Sequence, residues 1–145
     1  MQPTRNHPRE SAPALVTTLR KEEIKDEAGR TLVRVNISYF RMCGDTADRD
    51  HFSGIQARFN GFYESISSAF YRFATRKLAA FARRHPGRLP CGAVLRTRAE
   101  LRENALAVVL EASVFDGENA LPPFRTERVW QMDSPALSPL SIPEK

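Results

Sequence analysis

Residues 52–73 read FSGIQARFNGFYESISSAFYRF, and their apolar side chains recur at steps of three and four residues. This period is typical of an amphipathic helix that buries one stripe. We expect the helix to end before Pro86 and Gly87, because proline lacks the amide donor that a helix needs. The predicted stripe consists of Phe52, Ile55, Phe59, Phe62, Ile66, Ala69, Phe70 and Phe73.

Two alternating segments precede this helix. Residues 14–25 and 31–42 both have the composition of strands, and the second alternates apolar and polar residues from Val33 to Tyr39. A three-residue turn with a left-handed Gly29 joins them as a hairpin. This turn places the apolar residues of both strands on one face. The predicted pairs are Leu19 with Ile37 and Thr17 with Tyr39.

Three further segments with strand patterns follow the helix, at residues 91–102, 106–115 and 124–132. A turn at Glu103 and Asn104 aligns the apolar faces of the first two. The simplest architecture that buries a sheet face and a helix stripe together is one sheet layer packed against one helix layer. We therefore predict a two-layer α+β fold, with an antiparallel sheet of four to five strands and one long helix on one face. The predicted pairs are Leu101 with Leu106, Ala99 with Val108, and Leu95 with Ala112.

The predicted core joins the helix stripe to the sheet. It packs Phe59, Phe62, Ile66 and Phe73 against Val35, Ile37, Leu95 and Val108. The ends of the chain lack periodicity and are rich in proline. The predicted organisation is a flexible arm at residues 1–11, one domain at residues 12–133, and a tail rich in proline and serine at residues 134–145.

Composition agrees with one globular domain. The chain has 145 residues, of which 41% are hydrophobic and 27% charged, and a net charge of +5. This balance excludes a disordered chain and a coiled coil. No run approaches the roughly 20 apolar residues of a membrane span. The first residues lack the apolar core of a secretory signal, so the sequence as written predicts a cytoplasmic protein without a transmembrane segment.

No standard catalytic or cofactor motif is present, and we expect a non-catalytic protein without metal or cofactor. His51 near Asp48 and Asp50 has two interpretations, an oriented base or simply a helix start with capping residues. Cys43 and Cys91 are too few for a disulfide scaffold. A helix of about 30 residues spans about 45 Å, so it separates them and predicts two free thiols.

The middle of the chain is basic. Residues 72–102 contain nine Lys and Arg residues and one acidic residue. Such a segment can attract a polyanion, but charge runs more often cover ordinary solvated faces, so polyanion binding is the alternative interpretation. Arg96 and Arg98 are predicted on the uncovered face of the sheet, whereas Arg72, Arg76 and Arg83 lie on the solvent side of the helix. Because this division breaks up a continuous basic stripe, we expect no specific nucleic-acid binding.

Three aromatic residues fall off the main apolar stripes of their elements. They are Phe40, Tyr63 and Tyr71. Apolar side chains that the core does not take up mark an interaction site when they form a contiguous exposed patch. Together with Arg96 and Arg98 they form the predicted partner surface.

The order of three segments resembles a known family. They are Val35-Asn-Ile-Ser-Tyr39, Phe59-Asn-Gly-Phe-Tyr63 with its continuation Ala69–Phe73, and Arg125-Thr-Glu-Arg-Val-Trp130-Gln-Met. Over residues 15–140 the chain is similar to the RsiV-like family, domain-of-unknown-function family 3298 with its companion N-terminal segment, in a short version found in Gram-positive bacteria. The family pattern has a strand of the "I-S-Y" type, a helix with "N-x-x-Y" and a closing tryptophan element.

This resemblance implies an α+β domain outside the membrane, as in a lysozyme-sensing anti-sigma factor and as an accessory domain of a peptidoglycan deacetylase. It implies no catalytic residues. The chain carries Asp116-Gly-Glu-Asn119 where many longer members carry Gly-Gly-Ala-His. The expected function is a binding or sensing domain whose partner is a protein or a cell-envelope component, and the alternative is the polyanion-binding domain.

Overall fold

The computed structural model describes residues 14–43, 49–103 and 105–131, with only the backbone at residue 14 and at residues 49–53. The predicted arm at residues 1–11 and tail at residues 134–145 lie outside the described residues. So do Asp48 and the side chains of Asp50, His51 and Phe52, and neither interpretation of His51 is tested.

The described residues form five strands and one long helix in three segments. The strand predictions are confirmed to within one residue at each end. The strands are β1 (Ala14–Lys25), β2 (Thr31–Cys43), β3 (Cys91–Arg102), β4 (Ala105–Phe115) and β5 (Phe124–Gln131). The helical segments are α1 (Arg49–Arg72), a π turn (Phe73–Leu78) and α2 (Ala79–Arg84), followed by a 3-10 turn (Pro86–Arg88).

The strands form one sheet in the order β1-β2-β3-β4-β5. The α+β fold with one long helix over the sheet is confirmed. The prediction of a wholly antiparallel sheet is wrong at one pair, because β2 and β3 run parallel, with Val33 opposite Cys91 and Ile37 opposite Leu95. The helix runs antiparallel to β2, so β3 starts at the same end of the sheet as β2 and runs in the same direction.

The hairpin of β1 and β2 is shifted by one residue from its predicted register. Gly29 has the expected positive φ of 86°, but the pairing shifts at Ile24, which lies opposite Val33. This bulge leaves both Leu32 and Val33 buried. Beyond it Arg20 lies opposite Ile37, and Leu19 moves to the other face. A shift of one residue exchanges the two faces of a strand, so both predicted pairs are wrong.

The hairpin of β3 and β4 has the predicted register. Leu101 pairs with Leu106, Ala99 with Val108 and Leu95 with Ala112. At the turn, Glu103 takes a left-handed φ of 44°.

The helix buries a stripe that differs from the predicted one. The sequence allows either Phe62 or Tyr63 to follow Phe59, at a step of three or of four, and the structure buries Tyr63 while Phe62 is half-buried. The wider π turn then returns the C-terminal part of the stripe to the sheet. The buried stripe consists of Ile55, Phe59, Tyr63, Ser67, Ala74, Leu78, Ala79 and Ala82.

The structure confirms that the predicted helix residues pack against the predicted sheet residues. Phe59, Val35, Ile37, Leu95 and Val108 are buried, and the half-buried Phe62, Ile66 and Phe73 pack against them. The prediction of two free thiols is also confirmed. Cys43 is exposed at the end of β2, and Cys91 is buried at the start of β3. Burial raises the pKa of the Cys91 thiol.

Candidate functional site

An aromatic cluster closes the sheet at the end of β5. Trp130 is 1% exposed, and its indole Nε1 donates a hydrogen bond of 3.0 Å to the hydroxyl of Tyr63. The ring of Phe59 lies 5.1 Å from that of Trp130, and Phe62 lies 5.9 Å away. The guanidinium of Arg128 covers Phe62 at 4.4 Å from the ring centroid. Burial raises the pKa of Tyr63 to about 12.

The side chain of Asn60 holds the end of β2. The amide of Met42 donates a hydrogen bond of 2.7 Å to Asn60 Oδ1, and Asn60 Nδ2 donates one of 3.0 Å to the carbonyl of Met42. Asn60 thereby pairs with the backbone as a neighbouring strand would. Asn60 and Tyr63 are the two residues of the "N-x-x-Y" pattern, so in this chain that pattern has a structural role.

Three polar side chains, those of Tyr71, Glu22 and Arg20, contact one another where the helix lies beside β1. The hydroxyl of Tyr71 donates a hydrogen bond of 2.8 Å to Glu22, and the guanidinium of Arg20 lies 3.7 Å from the centroid of the Tyr71 ring. The hydrogen bond from Tyr71, with help from Arg20, lowers the pKa of Glu22. The same hydrogen bond to Glu22 raises the pKa of Tyr71. Each group therefore has a partner within the domain.

An apolar groove lies open on the opposite flank of the helix, above β4 and the start of β5. Its first part has a volume of about 360 Å³, and its second part, which shares Phe73, Val114 and Leu121, has about 320 Å³. Nearly all of its surface is carbon. The lining residues central to the groove are Ile66, Phe70, Phe73, Leu110, Ala112, Val114, Leu121 and Phe124.

The groove exists because one helix cannot cover five strands. A helix is about 10–12 Å wide, whereas five strands at about 4.8 Å spacing extend over about 20 Å. The helix packs mainly on β2. The helix therefore leaves the helix-side residues of β4 and β5 only partly covered at the Phe124 end, where Phe124 is 58% exposed, and Leu121 in the adjoining connection is 42% exposed.

The connection between β4 and β5 forms the rim of the groove. The carboxylate of Asp116 accepts hydrogen bonds from the amides of Glu118 and Asn119, which lower its pKa. Gly117 has a φ of 94°, and a side chain there would collide with the carbonyl of Arg88. The amide of Leu121 donates a hydrogen bond of 2.8 Å to the carbonyl of Val114. These contacts hold Leu121 over the groove.

One charge at the groove is uncompensated. Lys77 lines its second part, and among the described residues no carboxylate pairs with its ammonium group. Asp116 also lines this part, but it is engaged by Arg88 at 3.8 Å. The helix wall at this point is the π turn, a feature frequent at functional sites. The groove can therefore accept an apolar group that carries a negative charge at one end.

The five predicted site residues do not form one surface. Tyr63 is 1% exposed in the aromatic cluster, so its prediction as a surface residue is wrong. Tyr71 lies on the β1 flank. Phe40 is half-buried on β2, and Arg96 and Arg98 are exposed on β3. The sequence pattern predicts that the groove residues lie on apolar faces of their strands and helix. It does not predict that they are exposed, because their exposure depends on where the helix packs on the sheet.

Within the described residues, no group of three or more metal-ligating side chains comes together. In the same part of the chain, no helix is long and apolar enough to cross a membrane.

Comparisons with known proteins give a likeness of structure alone. No protein-family model and no curated protein matches the chain. A DUF3298 family member from Bacteroides fragilis NCTC 9343 matches at a TM-score of 0.49 and 11% identity, over 86% of this chain and 57% of that one. A DUF3298 family protein from Pseudomonas aeruginosa PAO1 matches at a TM-score of 0.44 and 16% identity, over 84% of this chain and 53% of that one. The chain thus spans little more than half of these solved chains, and its structural neighbours are proteins of the DUF3298 family.

Proposed function

We propose that the chain is a non-catalytic binding or sensing domain, and that its groove takes up the apolar side chains of a protein partner. The observation that carries this proposal is the groove itself, an uncovered apolar surface beside Leu121 and Phe124. Large exposed apolar residues grouped around a concave surface are typical of binding sites.

The shape of the groove favours a protein segment over a small molecule. Small-molecule sites bury about 70–90% of the ligand's surface, whereas this groove is open along its length. An open apolar groove beside a helix suits the side of a peptide chain. The free ammonium of Lys77 adds a preference for a segment in which an acidic residue adjoins the apolar ones.

The experiment uses 1-anilinonaphthalene-8-sulfonate, a dye that combines apolar rings with one negative charge. The folded protein should bind it, and Phe124→Asp should weaken the binding about tenfold, because the variant places a charge on the groove. The matched control is Leu19→Asp, since Leu19 is also 58% exposed but lies on the other face of the sheet. Equal dye binding by the parent and both variants would contradict the proposal.

The finer assignment to the RsiV-like family, with its Gram-positive origin and extracytoplasmic sensing role, is part of this proposal and rests on the resemblance of the three sequence segments. It names lysozyme as a partner. Calorimetric titration of the chain with lysozyme tests it, with Phe124→Asp and Leu19→Asp as the variant and its control. Binding that is lost only in Phe124→Asp supports both the sensing role and the groove.

A further inference from the structure

The second face of the sheet, opposite the helix, carries a charge pattern that the groove does not explain. We call it the far face, and it contains the exposed side chains of Leu19, Arg34, Arg96, Arg98 and Arg125. Among the described residues no helix or strand packs on this face.

Most arginines of the far face have a glutamate partner. Arg34 lies 3.4 Å from Glu23 on β1, and Arg125 lies 3.6 Å from Glu111 on β4. Arg102 at the end of β3 contacts Glu100 at 3.2 Å and Glu127 at 4.0 Å. These pairs run across neighbouring strands and neutralise the periphery of the face.

Arg96 and Arg98 differ from these residues. Both are exposed in the middle strand, and within the described part of the chain neither has a carboxylate partner. Arg96 lies opposite Glu111, but that carboxylate is engaged by Arg125, and Arg98 lies opposite the apolar Val109. The centre of the far face therefore holds two adjacent uncompensated positive charges.

We propose that the far face binds an acidic protein segment in extended conformation, with two carboxylates on Arg96 and Arg98. Residues two apart in a strand are separated by about 6.7 Å, so alternate acidic residues of an extended segment match the two guanidinium groups. Arginine binds carboxylates with two parallel hydrogen bonds. Val109 lies directly opposite Arg98 and provides an apolar contact that a bare phosphate chain does not use. This surface is separate from the groove, and the proposal goes beyond the proposed function.

The test measures fluorescence anisotropy of a labelled eight-residue peptide that alternates glutamate and valine, at about 50 mM salt. Arg96→Gln combined with Arg98→Gln should weaken binding about tenfold, which lies within the range expected for the loss of two exposed ion pairs. The control combines Arg72→Gln with Arg76→Gln, which removes the same charge from the solvent side of the helix and should change binding less than twofold. All these positions are exposed, and the melting temperatures of parent and variants are compared first.

A charge exchange sharpens the test. Arg96→Glu combined with Arg98→Glu should reject the glutamate peptide and bind a peptide that alternates lysine and valine. Equal loss in both double glutamine variants, or no binding of the glutamate peptide, would overturn the proposal. A single-stranded oligothymidine that binds more tightly than the peptide and loses more affinity in the Arg96 and Arg98 variant would overturn it in favour of nucleic acid.

Discussion

Trp130 and Phe124 belong to the same strand and the same face of the sheet, yet their surroundings are opposite. Trp130 is packed among Phe59, Phe62 and Tyr63, with Arg128 over the cluster. Phe124, six residues earlier, is 58% exposed at the groove. The helix packs two of its phenylalanines and one tyrosine against Trp130, and it leaves Phe124 uncovered. Apolar character alone therefore does not identify core. The position of an apolar residue relative to the helix decides whether it packs in the core or stays exposed as part of a binding surface.

The largest expected effect separates these two residues. Trp130→Ala should lower the free energy of unfolding by about 3–5 kcal/mol, because it empties a buried aromatic site and leaves the Tyr63 hydroxyl without its partner. Phe124→Ala should cost less than about 1 kcal/mol, since most of its ring is already in water. Urea unfolding followed by circular dichroism measures both. Similar losses at the two positions would show that the groove is part of the core.

The pH dependence of stability probes the aromatic cluster by itself. The pKa of Tyr63 is raised from 10 to about 12 in the folded protein, so between these pH values the unfolded chain releases this proton first. Stability due to this group is fully present below pH 10 and falls by about 2–3 kcal/mol as the pH rises to 12. The control is Tyr63→Phe, which should cost about 1–3 kcal/mol at pH 7 and show a smaller loss across this window. An identical alkaline loss in both proteins would contradict the burial of Tyr63.

Enlarging an alanine distinguishes filled space from open space. Ala93 and Ala112 lie on the helix side of β3 and β4, the first buried and the second lining the groove. Ala93→Leu should cost about 1–3 kcal/mol, because a packed core resists added volume. Ala112→Leu should leave stability within about 0.5 kcal/mol, because its side chain enters the groove. Thermal unfolding of the two variants makes the comparison, and an equal loss would mean that the groove is closed in solution.

The smallest effect concerns the two cations beside these regions. Arg128→Gln should cost about 0.5–1 kcal/mol through the lost contact with the aromatic rings. Lys77→Gln should not change stability measurably, since no carboxylate among the described residues pairs with it, but it should weaken binding of the sulfonate dye. Chemical denaturation and dye titration of both variants test this pair. A stability loss for Lys77→Gln as large as that for Arg128→Gln would contradict the assignment of Lys77 to ligand binding.

The sequence predicted the candidate sites unequally. The placement of Arg96 and Arg98 away from the helix followed from the alternation of β3, a period that every strand must obey. The pattern predicts Tyr63 on a surface, because steps of three and four residues are equally compatible with a helix stripe. In the structure the indole of Trp130 donates its hydrogen bond to Tyr63, which is the buried residue of the two. The groove had no local signal, because Leu110, Ala112 and Val114 have the pattern of an ordinary buried strand face.

The amino-acid pattern by itself determined the strands, the long helix, the α+β class and the register of β3 with β4, because each depends on short-range periodicity and turn chemistry. The free thiols follow from the length of that helix, which separates Cys43 from Cys91. The tertiary structure decided the parallel pairing of β2 with β3, the bulge that turns Leu19 outward, and the end of β5 that the helix covers. These features depend on where a helix about 10 Å wide settles on a sheet about twice as wide. The position of the helix depends on contacts between residues far apart in the chain, so no local sequence pattern predicts it.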